Sequence, residues 1–371
     1  MIQHIKIENY KSIPSLELDL GRVNVFIGEN GSGKTNILEV VALGSAIIDD
    51  NLAGDDLLAS KGIRIADYNL MFSGFKKSDI DNIVKVTFSN DKQSFPLTII
   101  HIDDPGEYWI LKNKEYATRE EAESIWADSK GDILVVLEKG RDFYRNKIRL
   151  TNIPDFLIYC PENTYLRRFE EEAQVRPLGI RGEGLFSHLA DLARKEPPIF
   201  RKINETLQLI DWFGDFEIPN DLLFTERRIH IRDRYLEEGI QYIDQRSSNQ
   251  GFLYLLFYVT LFVSPHTPKF FAIDNIDNAL NPKLCSKLIE VLVQLAKENG
   301  KQVIVTAHNP GLLDGLNLND EEQRLFVISR NKLGHTKALR IEQKPSTNGH
   351  EPVRLSEQFL RGYIGGLPKN F

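Results

Sequence analysis

The 371-residue chain is 42% hydrophobic and 27% charged, ordinary proportions for a globular protein holding one large domain or one core with an inserted lobe. A net charge of −7 and a pI near 5.7 argue against a protein that coats itself on nucleic acid, while leaving room for a local basic patch. Its two cysteines, Cys160 and Cys285, lie far apart with no CxxC partner, which excludes a disulfide framework and a zinc site and predicts buried thiols.

The first residues, 1–7, alternate like a strand and lack the apolar segment of a signal peptide. Ile5 and Ile7 oppose Lys6 and Glu8, and Leu16, Leu18 and Leu20 oppose Glu17 and Asp19, which predicts two antiparallel strands joined through Asn9-Tyr10-Lys11-Ser12. Val23, Val25, Phe26 and Ile27 then read as a short buried strand, followed by Gly28-Glu29-Asn30-Gly31-Ser32-Gly33-Lys34-Thr35. Behind that loop, Ile37, Leu38, Val41 and Ala42 recur at helical spacing. Strand-like runs at 84–88, 97–102 and 133–137, with a short helix around 120–126, predict a β-rich lobe. The acidic run 170–172 reads as solvated and 182–184 as a turn. Residues from 181 to about 209 read as helical, with Leu185, Leu189 and Leu192 on one face. Arg228, His230, Arg232 and Arg234 alternate with Ile229, Ile231 and Asp233, a strand whose basic face is either solvated or suited to nucleic acid or an acidic partner.

The longest apolar run, 252–263, is too short to cross a bilayer and predicts a buried helix. No membrane association and a cytoplasmic location are expected. Residues 269–273 form a buried strand ending at Asp274. Asn281-Pro282 opens a helix carrying Leu284, Leu288, Val291, Leu292 and Leu295, and Asn299-Gly300 closes it. Residues 303–306 form another buried strand, ending at Ala307-His308, and 325–328 a further one. With only a short stretch after Ser329, a separate catalytic domain is not expected.

Residues 28–35 complete the phosphate-binding pattern G-x-x-x-x-G-K-[ST] between a strand and a helix, the context its mechanism requires. Glycines let the backbone wrap an anion, so that successive N–H groups and the positive helix end face it. Lys34 is expected to reach the β- and γ-phosphates of a nucleoside triphosphate, and Thr35 to offer its hydroxyl to Mg²⁺. An aspartate at the tip of a buried strand is the second element of such sites, holding Mg²⁺ usually through water, and Asp274 fits it.

The chain resembles ABC-type ATPases, and more narrowly the branch containing the SMC, RecF and overcoming-lysogenization-defect ATPases. The resemblance rests on Asn9-Tyr10-Lys11-Ser12, the P-loop with Asn30 inside it and Asn36 after it, the 274–282 run set against D-E-x-E-x-x-L-x-P, and His308. It implies an α/β P-loop NTPase fold: one ABC-type head over 1–371, with a mixed central sheet, an antiparallel β lobe and a helical insertion. Residues 1–160 would form the N-terminal lobe with the P-loop, 161–251 the helical and β insertion, and 252–371 the C-terminal lobe. The resemblance further implies ATP and Mg²⁺ as ligands, bound by Lys11, Asn30, Gly31, Ser32, Gly33, Lys34, Thr35 and Asn36, with Thr35 and Asp274 at the metal. Lys11 reads equally as a solvated turn lysine.

The resemblance also implies a head-to-tail homodimer in which a serine and glycine segment of one subunit completes the other's site. Ser247-Ser248-Asn249-Gln250-Gly251 is the candidate, with Ser248 and Gly251 in contact with the nucleotide; a plain serine helix cap is the alternative. His308 matches the histidine that senses the γ-phosphate. Asn275 stands where the branch has a catalytic glutamate, and an amide cannot act as a general base. The alternatives are that Asp277 serves as the base or that Asn275 orients the water. Slow hydrolysis and a long-lived closed dimer are expected, acting as a switch for a separately encoded effector such as a nuclease in anti-phage defence. A RecF-like DNA-binding repair ATPase and a hydrolysis-deficient scaffold are the alternatives.

Overall fold

The computed structural model describes residues 1–49, 54–64, 70–74, 83–102, 108–111, 151–169, 177–219, 227–237, 242–343 and 353–367. The expected strand at 133–137, the helix at 120–126 and the acidic run at 170–172 lie outside these residues.

Two sheets enclose the P-loop helix. Strands β1 (His4–Tyr10) and β2 (Ile13–Asp19) pair antiparallel in the register their alternation predicts, with Ile5 opposite Leu18 and Ile7 opposite Leu16. Strands β4 (Ile83–Ser89), β5 (Ser94–Ile102) and β6 (Tyr108–Leu111) extend them into an all-antiparallel sheet ordered β2-β1-β4-β5-β6. The second sheet uses β3 (Val23–Ile27), β7 (Ile158–Tyr159), β11 (Phe270–Ile273), β12 (Gln302–Ala307), β13 (Gln323–Arg330) and β14 (Thr336–Ile341). Its order is β14-β13-β3-β12-β11-β7; all neighbours are parallel except β13 and β14, so the sheet is mixed.

This sheet is covered on both faces at its centre, where β3, β11 and β12 are buried at every position. Val23, Val25 and Ile27 join one core with Phe271, Ile273, Val303 and Val305, whereas Phe26, Phe270, Ala272 and Ile304 join the other. Helix α1 (Lys34–Asp49) belongs to the second core, together with the antiparallel sheet. Facing the first core are α4 (Leu185–Lys195), α5 (Pro197–Leu207), α6 (Gln250–Val263) and α7 (Pro282–Glu298). Shorter helices α2 (Asp55–Ser60), α3 (Asn163–Arg167) and α8 (Leu355–Leu360) complete the described set. A small antiparallel sheet of β8 (Phe213–Glu217), β9 (His230–Asp233) and β10 (Ile243–Asp244) sits beside α5.

Three expectations need correction. The helical stretch near 181–209 is two helices, because Pro197 cannot donate to the preceding turn and instead opens α5 at its first position. The cap of α6 is Asn249, not a serine: its Oδ1 accepts from the Phe252 N–H at 2.8 Å. Cys285 is buried as expected, whereas Cys160 is half-buried.

Helix α6 is apolar all round and buried from Phe252 to Val263, which is how a helix inside a core must read. Its far end is tied down by polar groups. Lys301 Nζ donates to the carbonyls of Ser264, Thr267 and Pro268, and His188 Nε2 lies 2.9 Å from Ser264 Oγ. Burial, followed by the neighbouring His266, pushes His188 down to about 4, with Asp191 and Glu196 opposing and Lys301 adding to the drop.

An unfolded histidine titrates near 6.5, so between about 6.5 and 4 the unfolded chain takes a proton that the folded protein refuses. Stability is therefore complete above 6.5 and falls as the pH drops, by about 2 kcal/mol at pH 5 from this group. Urea unfolding at pH 7 and pH 5 checks this: His188→Gln, which keeps a partner for Ser264, should lose about 2 kcal/mol less over that interval than the parent protein.

Candidate nucleotide site

Register brings the site together. Ile27 of β3 pairs with Ala307 of β12, and Ile273 of β11 pairs with Val305, so the chain leaves three adjacent parallel strands at the same edge through residues 28, 274 and 308. Such an edge is where open α/β sheets place ligands.

The P-loop follows β3 and runs into α1, whose N-terminal N–H groups lack intrahelical acceptors and favour an anion. Gly31 has φ 75° with open space where a Cβ would be, and Gly33 has φ 105° with the Thr336 hydroxyl 2.1 Å from such a Cβ. Lys34 Nζ donates to the carbonyls of Gly28 at 2.8 Å and Glu29 at 3.0 Å, which leaves its third N–H. Burial pushes its pKa down, against the pull of Asp274, Asp277 and Glu29. Asn30 and Gly31 face solvent, while Ser32 is buried with an Oγ that has no partner among the described residues.

Asp274 stands across from the loop. Its Oδ2 accepts from Thr35 Oγ1 at 3.1 Å, across 239 residues of sequence, and its Oδ1 accepts from Thr306 Oγ1. The same Thr306 oxygen accepts the Asn275 N–H at 2.8 Å. Asn275 has φ 56°, a left-handed conformation that asparagine tolerates better than most residues. Asp277 accepts through Oδ2 from the N–H groups of His308 at 2.9 Å and Asn309 at 2.6 Å. Solvent reaches the His308 ring, yet its surroundings desolvate it enough to lower its pKa, and the Lys34 ammonium adds to that drop.

These groups fit Mg²⁺ and a triphosphate. Thr35 and Asp274 form a hard oxygen donor set, and the glycine-lined loop at a helix N-terminus offers N–H donors beside a lysine.

Lys11 is not a solvated turn residue. Its Nζ lies 2.7 Å from Glu39 of α1, a fully buried carboxylate whose other oxygen takes Arg64 Nε at 2.7 Å. Arg64 also reaches Asn36, whose Nδ2 donates to Ser12 Oγ at 2.7 Å. The site thus brings together Lys11, the P-loop, Asn36, Asp274, Asn275, Asp277 and His308. Ser248 and Gly251 stand apart, at the start of α6. There Ser248 is buried with an Oγ that has no partner among the described residues, and Ser247 is the exposed serine. Gly251 allows close approach to the loop after β11: a Cβ on it would lie 3.2 Å from the Ala279 carbonyl.

The basic face of β9 is answered by acids. His230 Nδ1 lies 3.6 Å from Glu217 and its ring stacks on Tyr242, Arg232 Nε lies 3.6 Å from Asp215, and Arg234 bonds Gln208 beyond the strand's end. Of the four basic side chains the alternation places on one face, His230 and Arg232 thus stand beside acids and Arg234 beside an amide.

Two residues went unread in the sequence. Thr306, a polar residue at a buried strand position before His308, orients Asp274; that odd polarity was its signal. Thr336 comes from β14, where its hydroxyl donates to the Ser32 carbonyl at 3.0 Å and meets Ser12 Oγ at 2.6 Å. It latches the loop from behind, and no local motif marks it.

The latch makes the two glycines unequal. Gly33→Ala drives a methyl into a pinned hydroxyl at positive φ and should cost about 2–4 kcal/mol of stability and weaken ATP binding more than tenfold. Gly31→Ala should cost about 1 kcal/mol and leave affinity within a few fold. Thermal melts and titration with a fluorescent ATP analogue check both.

Comparison with known proteins agrees with this geometry. Residues 1–132 match the family described as "AAA ATPase domain", and residues 185–314 the family described as "AAA domain, putative AbiEii toxin, Type IV TA system". The DNA replication and repair protein RecF of Kineococcus radiotolerans is 36% identical over 62 residues, 16% of this chain and 16% of that protein. The DNA double-strand break repair Rad50 ATPase of Methanopyrus kandleri is 36% identical over 75 residues, 20% of this chain and 8% of that protein. The chain therefore aligns with well under two thirds of either relative. Among solved structures, the SmcHead bound to the C-winged helix domain of ScpA has a TM-score of 0.56 at 14% identity, covering 92% of this chain and 98% of that one. The Smc head with an extended coiled coil bound to the C-terminal domain of ScpA, derived from Pyrococcus furiosus, has a TM-score of 0.53 at 12% identity, covering 92% and 96%. At such identities these two matches show a common fold. Taken with the P-loop and the matches to ATPase-domain families at both ends of the chain, they show a chain similar to AAA ATPase domains with the α/β P-loop fold of Smc heads.

Proposed function

We propose that the protein binds ATP with Mg²⁺, closes into a head-to-tail homodimer, and reopens on slow hydrolysis, so that nucleotide state works as a switch. The observation that carries this reading is the Thr35–Asp274–Thr306 chain of hydrogen bonds, which joins the P-loop to the strand tips that carry Asn275 and His308. Lys34 and the N–H groups of 31–35 bind the phosphates, with Asn36 and Lys11 beside them. Mg²⁺ held at Thr35 and Asp274 would supply positive charge to the phosphate oxygens. His308, whose pKa is lowered by burial and by the Lys34 ammonium, can donate a ring N–H to a γ-phosphate oxygen. Ser247 or Ser248 with Gly251, at the N-terminus of α6, would complete the partner's site.

Slow turnover follows from Asn275. Its amide can orient a water but cannot take its proton. A slow switch suits control of a separate effector in bacterial anti-phage defence; the family matched by residues 185–314, described as a putative toxin of a type IV TA system, supports a role within a multi-component system. A second reading, a DNA-linked repair ATPase, is favoured by the RecF and Rad50 similarities and disfavoured by the ion pairing of the β9 cations.

Phosphate release and solution mass for the parent protein, Lys34→Ala and Asn275→Glu test the switch. The parent should turn over at well under the ~10 s⁻¹ common for enzymes and dimerise with ATP. Lys34→Ala should do neither. Asn275→Glu should speed turnover, although glutamate at positive φ costs about 1 kcal/mol of stability. Brisk turnover unaffected by Asn275→Glu would refute the slow-switch account.

A further inference from the structure

Asp277 has the chemistry of a general base and sits beside the site, yet its surroundings give it other work. Both N–H groups at the end of β12, those of His308 and Asn309, point into one oxygen, Oδ2, at 2.9 and 2.6 Å. Two donors at that distance occupy the lone pairs of Oδ2, so that oxygen is engaged with backbone and not with a water. The other oxygen, Oδ1, is buried and has no partner among the described residues, so it does not face the solvent from which a nucleophilic water would come.

The segment that Asp277 grips is itself organised from this point. Asn309 Oδ1 caps the following 3₁₀ turn (Pro310–Gly315) by accepting from Gly311 N–H at 2.9 Å, and Asn309 Nδ2 reaches Cys285 Sγ of α7 at 3.7 Å. On its own side, Asp277 belongs to a loop fixed by Ile276 N–H to the Thr306 carbonyl at 3.0 Å and by Leu280 N–H to the Asp277 carbonyl at 3.2 Å. One carboxylate therefore ties the loop after β11 to the backbone of His308.

We propose that Asp277 is a positioning residue, a backbone clamp that sets where His308 stands, and that it does not take the proton of the attacking water. This deepens the ATP-hydrolysis reading given above and rests on it for its kinetic part. With Asn275 an amide and Asp277 engaged as a clamp, neither acid position of the 274–282 run supplies a base, which accounts for slow turnover from the chain's own residues.

Asp277→Asn and Asp277→Ala separate a clamp from a base. An asparagine Oδ1 can accept both N–H groups but cannot act as a base; alanine can do neither. Two readouts are taken on the full chain: amide hydrogen exchange of 308 and 309 without nucleotide, and kcat and KM for ATP. The clamp predicts that Asp277→Asn keeps both amides protected and kcat within about fivefold, while Asp277→Ala speeds their exchange about tenfold or more and lowers kcat with little change in KM. Loss of turnover in both variants with the amides still protected in Asp277→Asn would overturn the proposal, as would unchanged exchange in Asp277→Ala. If Asp277→Ala fails to fold, Asp277→Asn alone decides between clamp and base. A parent protein with no turnover would instead defeat the hydrolysis reading, leaving exchange to judge the clamp.

Discussion

The arrangement hangs on the carboxylate of Asp274. One oxygen takes the Thr35 hydroxyl from the start of α1 and the other takes Thr306 from β12, so a single side chain joins three elements that converge only in the folded sheet. Partly buried charge of this kind is tolerable because each oxygen has a donor and the Lys34 ammonium stands close by. The joint needs β3, β12 and β11 side by side and parallel, because that order brings the P-loop, the loop that begins at His308 and the acidic tip to one edge. The alternation of those strands' side chains into two cores constrains their register.

Around the joint, other polar groups hold backbone rather than ligand. Thr336 and Ser12 brace the P-loop from below, Glu39 ties Lys11 and Arg64 to α1, and Asp277 ties the loop after β11 to the end of β12. These contacts are preorganisation: they fix donors before charge arrives, which is where an electrostatic site gains most. The close approach of Gly251 to the Ala279 carbonyl packs the N-terminus of α6, the segment expected to face a partner subunit, against the loop after β11.

Much of this was legible in the sequence for a physical reason. The P-loop, Asp274 and His308 each follow a short run of apolar residues, and a polar residue at the tip of a buried strand is a local signal that needs no tertiary knowledge. The register of β1 on β2 was legible because alternation admits one pairing that buries Ile5, Ile7, Leu16 and Leu18 together. What stayed hidden depends on contacts between distant residues. Ser12 and Thr336 meet across 324 residues, and nothing near either one announces the other. Lys11 looked free because its partner, Glu39, reads locally as an ordinary helix residue. Arg232 looked available because Asp215, on β8, lies on a strand too short and too glycine-broken to be read. The break before Pro197 was readable and the run of leucines obscured it.

The central claim is that Asp274 links the metal and the nucleotide to the strand tips. Calorimetric titration of ATP into the parent protein and Asp274→Asn, each with and without Mg²⁺, tests it most directly. The account predicts that Mg²⁺ strengthens ATP binding to the parent and that most of this gain is lost in Asp274→Asn, with the variant still folded. An equal Mg²⁺ gain in both proteins would contradict it, since the metal would then bind independently of this carboxylate.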